Sequence, residues 1–124
     1  MLTASRELDA LIAEKVMGLT FVYPYMTDKN MTDKKGDPWY EVTGTQSGLL
    51  EVPAYSTDIA AAWGVVEQLC SQDRDFAVAY VRAQNEWCVE FSFGVAICRE
   101  FADTAPLAIC LAALQAVGYD HEGE

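Results

Sequence analysis

Apolar and polar positions recur along this chain with two different periods, and the sharpest run is helical. Ile59, Ala62, Trp63, Val66, Leu69 and Cys70 fall at offsets 0, 3, 4, 7, 10 and 11, a continuous apolar stripe. Ser56 stands ahead of the stripe as an N-cap whose hydroxyl takes a free first-turn amide. Asp58 sets a carboxylate at the positive end of the helix dipole. The pattern predicts a helix over 57–70 with Trp63 in the core. Truncating such a buried ring costs about 3–5 kcal/mol, so this helix is expected to be the keystone of the fold.

Two more helical runs flank it. Leu8, Leu11, Ile12 and Val16 share one face of a helix predicted over 4–17, capped by Thr3 or Ser5 and stopped by Gly18. Leu107, Cys110, Leu111, Leu114 and Val117 do the same over 105–117, with Thr104 as cap, Pro106 in the first turn and Gly118 past the end.

Between the second and third helices the period changes to two. Phe76, Val78, Tyr80 and Arg82 alternate with Ala77, Ala79 and Val81, and Trp87, Val89, Phe91 and Phe93 alternate with Cys88, Glu90 and Ser92. The short link Ala83-Gln84-Asn85 makes this pair an antiparallel hairpin, and Gly94 marks a turn into a further strand from Val95 to Phe101. Shorter strand signals occur at 19–23 and 38–43. The predicted order is α-β-β-α-β-β-β-α. Apolar residues on both faces of the sheet call for cover on both, so the expected fold is α+β with an antiparallel sheet between helical layers.

Residues 1–124 read as one domain. Within it, 27–38 is a polar loop rich in turn residues, and 119–124 is a loose acidic tail. A hydrophobic content of 52% excludes a disordered chain, and no apolar run reaches membrane-spanning length. The first residues lack the basic flank and apolar stretch of a signal peptide, so a cytoplasmic setting is expected.

Nineteen acidic and eight basic residues give a net charge of −11, which argues against direct binding to a nucleic-acid backbone. Cys70, Cys88, Cys98 and Cys110 are too widely spaced for a metal clip and sit in apolar patterns, so they are expected to be reduced core residues.

Three segments together resemble a known family. Arg6-Glu7-Leu8-Asp9-Ala10-Leu11-Ile12-Ala13-Glu14-Lys15-Val16-Met17-Gly18 is similar to the opening of the phage ABA sandwich domain. Pro53-Ala54-Tyr55-Ser56-Thr57-Asp58-Ile59-Ala60-Ala61-Ala62-Trp63 is similar to its middle motif, and Ala102-Asp103-Thr104-Ala105-Pro106-Leu107-Ala108-Ile109-Cys110-Leu111-Ala112-Ala113-Leu114 to its closing helix. The resemblance implies helix, antiparallel sheet and helix layers, and a phage or prophage origin. It implies no activity.

Chemistry-bearing constellations are sparse. His121 is the sole histidine and lies in the tail, which leaves nucleophilic triads little to draw on. Gly44-Thr45-Gln46-Ser47-Gly48 lacks the lysine of a phosphate loop. Asp58 and Asp103 both begin helices, where a structural role at the helix terminus outweighs Mg²⁺ binding.

Arg82 and Arg99 end strand patterns in a chain poor in cations. With neighbouring aromatics they make candidates for an anion or nucleotide pocket, against the plainer reading of pairing with Glu86 or Glu100. Trp39, Tyr40 and Tyr55 complete the set of candidate binding residues, since aromatics in irregular segments form rims.

The expectation is a non-catalytic accessory protein without cofactor or metal. It would act by binding, as a homo-oligomer, on a host protein or a small nucleotide, in a counter-defence role. A carboxylate and metal-dependent enzyme or a virion packaging accessory are the alternatives.

Overall fold

The structure, a computed structural model, describes residues 2–19, 39–41 and 49–119, with the backbone alone for 39–41 and 49–50. Its elements are α1 (Arg6–Lys15), β1 (Trp39–Glu41), β2 (Leu49–Glu51), α2 (Ile59–Cys70), β3 (Asp75–Val81), β4 (Glu86–Phe93), β5 (Ala96–Ala102) and α3 (Ala105–Ala116). The order matches the predicted string, but through different strands. The strand Leu49–Glu51, which pairs antiparallel with β1, was not anticipated. All but Leu19 of the strand expected over 19–23, the loop over 27–38, the turn over 44–48 and most of the tail lie outside the described residues.

Local chemistry accounts for the ends of the elements. Ser5 caps α1 by accepting from the Leu8 N–H at 3.1 Å, and Thr104 caps α3 by accepting from the Leu107 N–H at 3.4 Å. Gly18 at φ +72° and Gly118 at φ +87° supply the left-handed residue after α1 and α3. α2 departs from the expected start. Its cap is Asp58, which accepts from the Ala60 N–H at 3.2 Å, while Ser56 is buried and employed elsewhere.

β3, β4 and β5 form a three-stranded antiparallel sheet with β4 in the centre. Phe76 pairs with Phe91, Val78 with Val89 and Tyr80 with Trp87, and Trp87 pairs with Ala102, so these side chains share one face. That inner face carries Val89, Phe91 and Ala102 into a buried cluster with all three helices.

Helix α3 lies at the centre. It packs on β4 and β5 and receives α2 and α1 on its other sides. Every residue from Ala108 to Leu114 is buried, so α3 is enclosed all round rather than along one stripe. The expectation that α2 is the keystone is corrected here.

The expected helical cover of the sheet is seen on its inner face. Among the described residues no helix packs on the outer face, which presents Ala77, Ala79, Cys88, Glu90, Ile97, Arg99 and Phe101. The described helices also enclose α3, a demand that no strand pattern discloses.

A buried polar knot ties α1 to the segment before α2. The Asp9 carboxylate accepts from the Ser56 N–H and from Ser56 Oγ, both at 2.7 Å, and pairs with Arg6 Nη1 at 2.6 Å. Ser56 Oγ accepts from the Ser5 N–H at 3.0 Å, and Arg6 Nη2 donates to the Val52 carbonyl. Ser56 thus serves as the clasp between two distant segments, not as the cap of α2. Tyr119, the first residue of the expected loose tail, is held by its N–H to the Leu114 carbonyl at 2.9 Å and packs against the core.

Candidate functional site

Side chains of α2 and of the start of α3 meet the inner face of the sheet at an apolar recess of about 400 Å³. At about 100° per residue, Ala62, Val65, Val66 and Leu69 cover roughly 240–340° of the α2 wheel and face the core, whereas Ile59, Trp63 and Cys70 fall at roughly 0–40°. The second group is exposed. Trp63 is therefore 47% exposed instead of core, because α2 turns its alanine and valine flank toward α3. Val65, absent from the stripe that the sequence suggests, marks the true buried face.

Trp63 and Ile59 form one wall of the recess. Phe76, Val78 and Trp87 from the sheet form the floor, and Pro106 and Ile109 from the start of α3 close the far side, with Asp103 lining the recess. The aromatic rings are held in a chain. Trp63 meets Phe76 edge to face at 5.6 Å between centroids, Phe76 lies 5.3 Å from Phe91, and Tyr80 meets Trp87 at 5.2 Å. Such contacts fix ring orientation and add about 0.5–1.5 kcal/mol per pair. The recess is thus a preformed apolar surface with a carboxylate in its lining, suited to seating an apolar side chain.

Sequence-based candidates lie elsewhere. Arg99 is on the outer face of the sheet, where its Nε pairs with Glu90 Oε2 at 2.7 Å, not with Glu100. Arg82 is exposed in the turn after β3. Since Arg99 is level with Glu90 and Ala77, Arg82 stands roughly 15 Å or more away along the strand. The two guanidinium groups do not form one pocket. Tyr55 is buried in the core cluster and offers no rim. Trp39 and Tyr40 fall in β1, where only the backbone is described.

All four cysteines are free, but only Cys110 is buried; Cys70 is exposed and Cys88 and Cys98 are intermediate, which corrects their reading as core residues. Burial first, and the Asp9 charge second, push the Cys110 thiol far above its ordinary value of 9.0. A thiol so placed does not act as a nucleophile. In the native protein a thiol reagent should modify Cys70 promptly and Cys110 only after unfolding; rapid native labelling of Cys110 would contradict its enclosure.

The sign of the linkage follows from the raised value. Stability from protonated Cys110 is complete below the unfolded thiol's 9.0 and declines above it, as the unfolded chain ionises first. Among the described residues no group of three or more His, Cys, Asp or Glu could hold a metal ion, and no helix is long and apolar enough to cross a membrane.

Comparison with known proteins adds a family and a structural likeness. Residues 10–114 match the family described as the phage ABA sandwich domain. The 2.0 Å crystal structure of a phage protein from Bacillus cereus ATCC 14579 is similar to this chain at 28% identity, with a TM-score of 0.65. The likeness covers 92% of this chain and 91% of that chain. A comparison with curated proteins finds no match.

Proposed function

Because the chain belongs to the phage ABA sandwich family, we propose that it is a phage accessory protein that works by binding rather than by turnover. The observation that carries this reading is the exposed wall of Ile59 and Trp63 over a floor of Phe76, Val78 and Trp87. Contiguous apolar surface of this kind is costly to leave in water and marks contact sites in soluble proteins. Tryptophan at such a place is the residue type that dominates binding hot spots.

The partner class that fits is a host protein offering an apolar side chain flanked by basic residues. The recess takes the apolar group, and Asp103 together with the net charge of −11 attracts the basic flanks. This supports the counter-defence reading in its protein-inhibiting form. A nucleotide signal finds less support, since Arg99 is engaged with Glu90 on the opposite face from the recess. The same reading has the protein act as an assembly of identical chains.

Trp63→Ala tests both the site and its separation from the core. Half-exposed, the ring should cost only about 1–2 kcal/mol of stability when truncated, well below the value for a buried one. Affinity capture from host extract should recover a defined host protein with the parent chain and lose it with Trp63→Ala and with Ile59→Asp, both variants remaining folded. Equal capture by all three would remove the recess from the mechanism. Turnover of a nucleotide or peptide that disappears on substitution of one carboxylate would overturn the non-catalytic reading itself.

A further inference from the structure

The two edges of the three-stranded sheet are guarded differently. β5 carries Arg99 and Glu100 in its middle, charges of the kind that keep an edge from pairing with a foreign strand. β3, the other edge, has neither charge nor proline between Asp75 and Arg82, and Ala77, Val78, Ala79 and Tyr80 are exposed. Pairing with β4 satisfies one row of its backbone N–H and C=O groups. Among the described residues no strand or loop takes the other row. This edge also borders the recess, since Phe76 and Val78 belong to its lining. We propose that the host protein seats its apolar side chain in the recess from an extended strand paired with the free edge of β3.

Backbone chemistry selects the occupant of an open edge, because only another extended chain matches its alternating donors and acceptors. Side chains then select which chain. α3 packs on β4 and β5, whereas α2 meets the sheet at β3, so a strand added beyond β3 falls over the exposed flank of α2. Ile59, Trp63 and Glu67 follow one another on that flank at about 6 Å, one turn of helix. Same-face side chains of an extended strand recur at about 6.8 Å, nearly the same interval. An apolar side chain over Trp63 therefore has a neighbour two positions away level with Glu67, while Asp103 lines the recess itself. Neither α2 nor α3 carries a cation, so the positions flanking the apolar residue favour lysine or arginine.

Charges at the ends of β3 do not reverse that preference. Arg74 stands between Asp73 and Asp75 and lies 5.9 Å from the centroid of the Phe93 ring, and Arg82 follows Val81, whose cross-strand partner is Glu86. A second copy of the chain fits less well. Full-length antiparallel pairing of β3 with itself about Val78 sets Arg74 of each copy level with Arg82 of the other and brings two acidic flanks together. The strand mode rests on the recess reading above and adds the backbone by which the partner enters.

A blocked synthetic heptapeptide, threonine-lysine-threonine-leucine-threonine-lysine-threonine, tests it on the full chain by calorimetry and amide hydrogen exchange. The peptide should bind with a Kd below about 1 mM. In the free parent the β3 amides that face away from β4 should exchange quickly, and at a peptide concentration of about ten times Kd they should exchange about tenfold more slowly. Methylating alternate peptide nitrogens separates pairing from mere contact. Only one of the two alternate sets faces β3, so one methylated peptide should lose binding and the other keep it. Glu67→Lys, at an exposed position, should weaken binding about threefold or more and leave Tm unchanged.

Slow exchange along that row in the free parent would mean that another segment of this chain or a second copy already pairs with it, and overturns the strand mode. Absence of binding at about 1 mM peptide does the same. Binding that is lost in Trp63→Ala but leaves β3 exchange unchanged, or that tolerates both methylation patterns, overturns strand pairing while the recess reading stands. Protection of β3 that persists undiminished in Trp63→Ala uncouples the edge from the recess and overturns the strand mode as well. The recess reading fails on a different result, host capture indifferent to Trp63→Ala and Ile59→Asp.

Discussion

Arg6→Ala is expected to lower folding stability by about 3–5 kcal/mol, because it strands a buried carboxylate. The Asp9 side chain is 1% exposed and its charge is met by Arg6 Nη1 at 2.6 Å. Without the guanidinium, Asp9 keeps, among the described residues, the two donors of Ser56, and the Val52 carbonyl loses its bond to Arg6 as well. Breaking one side of a buried pair leaves the other side desolvated, which costs more than the pair itself contributes.

The knot also joins segments far apart in sequence, so its loss should loosen α1 from the chain ahead of α2. Glu51 supplies the contrast. It touches Arg6 Nη2 at 3.3 Å but its side chain is 50% exposed, and Glu51→Ala should cost no more than about 1 kcal/mol. Urea unfolding of the three proteins checks the ranking. Equal midpoints for the parent and Arg6→Ala would mean that water reaches Asp9.

Leu114→Ala should cost about 2–5 kcal/mol, more than Trp63→Ala although it removes a smaller side chain. Leu114 is fully buried on α3, the helix that contacts both other helices and the sheet, and its loss leaves a cavity that neighbours on several sides cannot all move to fill. Trp63 has water on one side already. A companion variant isolates the reason. Ala112 lies outside the stripe of Leu107, Cys110, Leu111, Leu114 and Val117, so a one-sided α3 would accept Ala112→Leu. The enclosed α3 should lose about 1–3 kcal/mol from overpacking. Thermal melts in which Trp63→Ala is the most damaging of the three would restore α2 as the keystone.

Cues within a turn or two of their targets were readable without a structure. Ser5 and Thr104 as caps, Pro106 in a first turn, Gly18 and Gly118 beyond helix ends, and the alternation that makes β3 and β4 a hairpin all act within a few residues. Those rules also produced the α+β class and the element order from α2 onward. The enclosure of α3 was half-visible, since no charged residue interrupts Ala105 to Ala116, a composition that suits a helix buried on every side.

Tertiary structure decided the rest, because the interactions concerned join residues that local rules cannot relate. Ser56 could satisfy either the start of α2 or the carboxylate of Asp9, 47 positions earlier, and only the packing of α1 against that segment selects the second. Cross-strand register gave Arg99 to Glu90 in place of its sequence neighbour Glu100. The α2 stripe was wide enough to be buried along either flank. Its rotation was set by which flank fits α3, and the small side chains of Ala62 and Val65 allowed a closer approach than Trp63 would have done. A hydrophobic period tells how a helix can be buried, while the shape of its neighbour determines which of those ways is used and so leaves Ile59 and Trp63 at the recess.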